Sequence, residues 1–398
     1  MVARLPGVEE LVAQARAETG LVDFGGESHL PALTALVDAL QREADLNETG
    51  VALQQSRIVE LLKNRLRLQV FLQRWPEIED EVVAPPILIL GLPRTGTTML
   101  QRLLSSDRRF IATRWYEVRF PVPELDWNFV DAQDVRIEVA RAEVAALVAA
   151  NPELLSIHPL DAEAPDEDLM LLEGSFLSTV PTSQAHIPSY DAYYARDDAR
   201  HATREHRRLL QFLQWQRRRA GHAVDGKRWL LKAPAHMYIL GAMLETYPGA
   251  RFITSHRDPL ACIPSISSFY YETWQIYSDS ADAAACGRDA AHFWGAALDR
   301  LVAAARRSPE QFLDIEYADL MERQDEAIER IYGFLGLPIE AETRAGFARW
   351  RSENRRDRRK PHHYRIEDFG LTRDALAAAF ADYRSQRGYA ASPGERRA

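Results

Sequence analysis

Between residues 86 and 104 the chain changes its period. Ile87, Leu88, Ile89 and Leu90 are consecutively apolar, the pattern of a short strand buried on both faces. A turn carrying Gly91, Pro93 and Gly96 follows. Met99, Leu100, Leu103 and Leu104 then recur at helical spacing. Short apolar runs at 229–231, 252–255 and 312–315 predict three more strands. Helix-patterned segments follow them, at 236–247, from Pro259 onward and at 317–335. Strands alternating with helices predict an α/β fold with a parallel sheet flanked by helices.

The flanking chain reads as helical. Residues 8–17 form a short amphipathic segment. Residues 31–44 place Leu33, Leu36, Val37 and Leu40 on one face, with Pro31 at a favourable helix start. A break at 47–50 precedes a long helix over 51–75, closed by Pro76. Helical patterns recur at 131–151, 162–172 and 199–220, with 175–189 as loop. A helix over 290–306 and a final one over 372–387 complete the prediction. The organisation expected is an N-terminal helical cap (1–80) and a main domain (81–390) with a helical insertion at about 125–225.

Composition narrows the function classes. The 398 residues carry a net charge of −9, which excludes bulk nucleic-acid binding. An anionic ligand therefore needs local cations. Cys262 and Cys286 give no disulfide framework and suit a reducing cytoplasmic setting. The first residues lack a long apolar leader, and no run of about 18 apolar residues predicts a membrane span.

The chemistry concentrates where strands end. Gly91-x-x-x-x-Gly96-Thr97-Thr98 nearly matches the phosphate loop G-x-x-x-x-G-K-[ST], with Thr97 in place of the lysine and Arg94 as the cation of the turn. Backbone N–H groups at such a turn, opening a helix, grip anions. Lys232 sits just past the 229–231 strand, where open α/β sheets bind ligands, and His236 follows four residues later. Arg257 ends the 252–255 strand, and Ser265 lies two helical turns on. A guanidinium with a hydroxyl is a sound clamp for a phosphate dianion. Glu117 lies among Trp115, Tyr116 and Phe120, a setting that can raise a carboxyl pKa, or it pairs with Arg114 or Arg119. His201 and His206 are five apart, which does not align them for a metal.

Pro93-Arg94-Thr95-Gly96-Thr97-Thr98 resembles the 5′-phosphosulfate loop of the sulfotransferases, P-[KR]-[ST]-G-[ST]-T. Leu231-Lys232-x-Pro234-x-His236 resembles that family's second core motif, and Arg257-x-Pro259 with Ser265 resembles its 3′-phosphate site. The resemblance covers roughly 85–370, with the specific motifs confined to about thirty positions. It implies a P-loop-like parallel sheet and 3′-phosphoadenosine-5′-phosphosulfate (PAPS) as donor, with no metal. Arg94, Thr95, Gly96, Thr97, Thr98, Arg257 and Ser265 would bind the donor, joined more loosely by Lys360 (or His362) and Arg365 of the late basic stretch. Arg94 and Lys232 would stabilise developing charge, and His236 or Glu117 would take the acceptor proton. Aromatic residues near 115–129 and 269–277 lean towards an apolar small-molecule or lipid hydroxyl, an amine being the lesser choice. Peripheral membrane contact and a homodimer are compatible with this reading. The alternatives are an ATP-using phosphotransferase, which the residue at Thr97 disfavours, and a nucleotide-binding relative without turnover.

Overall fold

The computed structural model describes residues 4–150, 160–354 and 365–389. The chain divides into two compact units. One comprises Met1–Ala84, Thr113–Lys227 and Thr273–Ala281; the other comprises Pro85–Ala112, Arg228–Glu272 and Asp282–Ala398.

The second unit holds a five-stranded parallel sheet. Its strands are β1 (Ile87–Leu90), β2 (Phe110–Ile111), β3 (Arg228–Lys232), β4 (Arg251–His256) and β5 (Phe312–Glu316), in the order β2-β3-β1-β4-β5. β1 lies at the centre, with Ile89 opposite Lys232 on β3 and Leu90 opposite Thr254 on β4. All four β1 residues are fully buried, which explains the unbroken apolar run. Ile87 and Ile89 share a core with Leu230, Ile253 and Ile315, closed by the helices Thr97–Leu104, Gln324–Leu335 and Ala341–Glu353. The fold is thus the α/β parallel sheet with flanking helices that the pattern predicts. β2 has only two residues and pairs with β3 at the sheet edge, too short to register as a strand in the pattern.

The first unit is helical. Val8–Thr19, Leu30–Arg42 and Glu48–Arg74 share a core that includes Leu11, Leu33, Leu40, Ile58 and Leu62. The break expected at 47–50 is instead a helix start: the Asn47 side chain accepts a bond from Gly50 N (2.8 Å), and Glu48, Thr49 and Gly50 are already helical. Residues 162–172 are not one helix. Pro165 disfavours helix before it, Arg114 bridges Pro165, Asp166 N donates to Thr113 O (2.9 Å), and a tighter helix starts at Asp168. Within 175–189, read as loop, the helix Pro188–Arg196 begins, with Pro188 at its first turn and Tyr190 and Tyr194 buried one turn apart.

Three boundaries in and beside the sheet unit also move. The aromatic run at 268–277 continues the Pro259 helix, which reaches Tyr277. The 317–335 segment breaks at Arg323 into Tyr317–Glu322 and Gln324–Leu335. The final helix breaks at Phe380 into Arg373–Ala379 and Ala381–Arg387. Among the described residues, no helix is long and apolar enough to cross a membrane.

Candidate functional site

The site is built on the turn after β1, and its shape follows from residues that tolerate unusual backbone. Gly91 has φ +142°, and a Cβ there would stand 2.3 Å from the Ser255 carbonyl oxygen. Only glycine lets the turn lie this close to the end of β4. Ser255 Oγ then donates to Thr95 O (2.6 Å), and Thr95 Oγ1 donates to Leu92 O (2.7 Å). Arg94 adopts φ +75°, a left-handed conformation that costs a non-glycine residue about 1 kcal/mol or more. Gly96 (φ +82°) starts the helix Thr97–Leu104, and its carbonyl accepts the Leu100 N–H. The N–H groups of that helix's first turn have no intrahelical acceptor and carry the positive end of its dipole.

The neighbouring strands bring two cations to this turn. Lys232, fully buried at the end of β3, donates from Nζ to Thr98 Oγ1 (3.1 Å). Arg257, just past β4, donates from Nη1 to Arg94 O (2.8 Å), and its guanidinium lies 4.4 Å from the centre of the Tyr317 ring. Lys232 and Arg257 therefore bond to the same loop, at the Thr98 hydroxyl and at the Arg94 carbonyl. Asp258 does not pair with Arg257. It accepts from Leu260 N (3.0 Å) and from Arg384 Nε (3.2 Å).

His236 is fully buried in the short helix Pro234–Ile239, directly after β3. Ser265 is buried in the helix Pro259–Tyr277. Arg365 is exposed, with Glu367 3.7 Å away. Lys360 and His362 lie outside the described residues.

Glu117 requires a correction. Burial pushes its carboxyl up, but the opposing Arg217 ion pair (2.5 Å), together with the Arg114 charge and N–H, holds it below its ordinary value. A carboxylate so paired stays ionised, so the raised pKa expected from its aromatic neighbours does not arise. Of the two neighbours expected to pair with it, Arg114 contributes its charge and a bond from its N–H (2.8 Å), whereas Arg119 pairs with Glu143 (2.7 Å). Trp115 and Tyr116, among the aromatics expected to favour an apolar acceptor, pack into a core with Ala140 and Ala162.

Two features escaped the sequence. Tyr317 opens the helix after β5, an aromatic at a strand end whose use only the register reveals. Behind Arg257, His256 contacts Tyr383 Oη (2.7 Å) and Asp314 Oδ1 (3.0 Å), residues 127 and 58 positions away. Burial pushes the Asp314 carboxyl up, but bonds from His256 and Arg387 bring it well below the usual carboxylate range. Burial drives the Cys262 thiol up to about 12, so it is no nucleophile.

The family model described as "Sulfotransferase family" matches residues 85–341. The chain is 28% identical over 275 residues to omega-hydroxy-beta-dihydromenaquinone-9 sulfotransferase Stf3 of Mycobacterium bovis (strain ATCC BAA-935 / AF2122/97), and equally to that of Mycobacterium tuberculosis (strain CDC 1551 / Oshkosh). Each match covers 65% of this chain and 64% of the relative, so the chain spans about 64% of the length of these relatives. Among solved structures, sulfotransferase STF1 from M. tuberculosis H37Rv superposes with a TM-score of 0.82 at 30% identity, covering 95% of this chain and 99% of that one. Sulfotransferase STF9 from Mycobacterium avium gives 0.84 at 26% identity, covering 96% of each. With the strand-end loop and the family model falling on the same stretch, the chain belongs to the sulfotransferase family.

Proposed function

We propose that the chain transfers a sulfuryl group from PAPS to the hydroxyl of an apolar small-molecule or lipid acceptor. The observation that carries the reading is the loop at 91–98, bonded to Arg257 on one side and to Lys232 on the other. PAPS supplies the sulfuryl group, whose sulfur bonds to the acceptor oxygen as its bond to the 5′-phosphate oxygen breaks. Fit is supported by the donor set: N–H groups at a helix start, one ammonium and two guanidiniums suit a ligand that is anionic at both ends.

Thr95, Gly96, Thr97 and Thr98 hold the 5′-phosphosulfate end. Lys232 and Arg94 stabilise the charge that grows on the bridging oxygen as 3′-phosphoadenosine-5′-phosphate departs. Arg257 and Ser265 hold the 3′-phosphate, with Arg365 and Lys360 as outer contacts. His236 takes the acceptor proton; Glu117, tied to Arg217 and held below its ordinary pKa, is the weaker base of the two candidates. The named activity of the Stf3 relatives, on a hydroxylated menaquinone derivative, supports a lipid-like hydroxyl as the acceptor class.

Turnover of PAPS against a panel of hydroxylated apolar lipids, with amines as controls, tests the reading. Release of 3′-phosphoadenosine-5′-phosphate coupled to a sulfated lipid is expected. Binding of the bisphosphate without transfer to any acceptor would reduce the chain to a nucleotide-binding relative.

A further inference from the structure

Arg257 stands next in the chain to a carboxylate, that of Asp258, just where β4 ends. An acid so placed competes with any incoming anion for the guanidinium. Here it is engaged elsewhere. Asp258 Oδ1 accepts the Leu260 N–H (3.0 Å) at the start of the helix Pro259–Tyr277, and it accepts the Arg384 Nε–H (3.2 Å). Arg384 is 5% exposed and the Asp258 side chain 30%, so the pair is only partly open to screening by solvent.

The helix Ala381–Arg387 is fixed so that Arg384 meets Asp258. Tyr383 Oη lies 2.7 Å from Nδ1 of His256, the residue before Arg257, while His256 Nε2 faces the Asp314 carboxylate (3.0 Å). A carboxylate only accepts, so Nε2 carries the proton, and in the neutral ring Nδ1 accepts from the tyrosine hydroxyl. Arg387 Nη1 donates to the other Asp314 oxygen (2.7 Å). Gly388 (φ +69°) then turns the chain, and Tyr389 N donates to Arg384 O (3.0 Å). The Tyr389 hydroxyl donates to Glu316 (2.8 Å), next to the Tyr317 ring beside Arg257. Tyr383, Arg384, Arg387 and Tyr389 thus tie this helix to the ends of β4 and β5, which carry Arg257 and Tyr317.

We infer that Arg384 is a positioning residue for donor binding. It sequesters Asp258, so that the Arg257 guanidinium stays oriented by the Arg94 carbonyl and open to the 3′-phosphate. The inference rests on the reading of Arg257 as the 3′-phosphate clamp. Without the Arg384 charge, Asp258 turns to Arg257 and competes with the phosphate. Losing both members of the pair should therefore matter less than losing Arg384 alone.

The test is calorimetric titration of the full chain with 3′-phosphoadenosine-5′-phosphate and with adenosine 5′-phosphate, which lacks the 3′ group. Arg384→Gln should weaken the bisphosphate about threefold to tenfold and leave the monophosphate unchanged. Asp258→Asn keeps an oxygen for the Leu260 N–H and should bind as wild type. Added to Arg384→Gln, it should restore affinity to within about twofold of wild type, a rescue that a merely structural role would not show. Arg384→Met keeps the buried stem and puts the same question if Arg384→Gln does not fold. A double variant as weak as the Arg384 variant alone, an equal loss for both nucleotides, or no loss at all would overturn the role of Arg384. Equal binding of the two nucleotides by the wild type, or a bisphosphate preference that survives Arg257→Ala, would instead overturn the clamp reading, and this inference with it.

Discussion

Arg257 in the sheet unit and Arg217 in the helical unit are both arginines near buried chain, but they meet different oxygens. Arg217 faces the Glu117 carboxylate at 2.5 Å, and Arg57 and Arg65 likewise pair with Glu173 and Glu205. Arg257 donates to a neutral carbonyl and lies over a tyrosine ring. A guanidinium matched by a carboxylate is neutralised, and its work is to hold helices together. One that is oriented by a carbonyl and a ring keeps its charge for an incoming anion. The same side chain therefore marks architecture in one unit and a candidate site in the other, and the partner tells which.

Five predictions break or sharpen that contrast. Glu117→Gln should be the most damaging to the fold, lowering stability by about 3 kcal/mol because it breaks the largely buried ion pair with Arg217. Chemical denaturation measures this, and a large loss of rate with unchanged stability would instead restore Glu117 as a base. The same pair has a pH signature. A carboxyl held below its ordinary 4.5 contributes stability that is present above that pH and lost as the pH falls through the lower folded value, so melting profiles of wild type and Glu117→Gln should converge in acid.

Next in size, Lys232→Ala should reduce turnover by about 10²–10³-fold with a small change in bisphosphate affinity, as measured by steady-state kinetics beside calorimetry. Arg257→Ala should do the reverse, weakening bisphosphate binding by roughly 1.5–3 kcal/mol while the rate at saturation falls less. Exchange of these two phenotypes would invert the proposed roles. The smallest expected effect is that of EDTA, which should leave PAPS turnover unchanged; an absolute requirement for magnesium would favour the phosphotransferase alternative.

Much of the sheet unit was legible because its signals are local. An unbroken apolar tetrad gave β1 its bounds, and the cations stood directly after the strands that carry them. What stayed hidden depends on distant sequence. Glu117 was judged by Arg114 and Arg119, its neighbours on the chain, whereas its ion pair is made with Arg217, 100 residues away. His256 is seated by Asp314 and Tyr383, and no spacing rule links the three. The 47–50 segment was misread for a different reason: Asn and Gly favour both breaks and helix starts, and the capping bond decides between them.

Arg94 has one further consequence. Its left-handed backbone is a shape glycine would take without strain, so Arg94→Gly is expected to leave stability unchanged or raise it by up to about 1 kcal/mol, while capture of the nucleotide weakens. Durability and ligand capture thus pull in opposite directions at a single position. Selecting variants of this chain for heat resistance alone would tend to discard the cation proposed to meet the donor's anion.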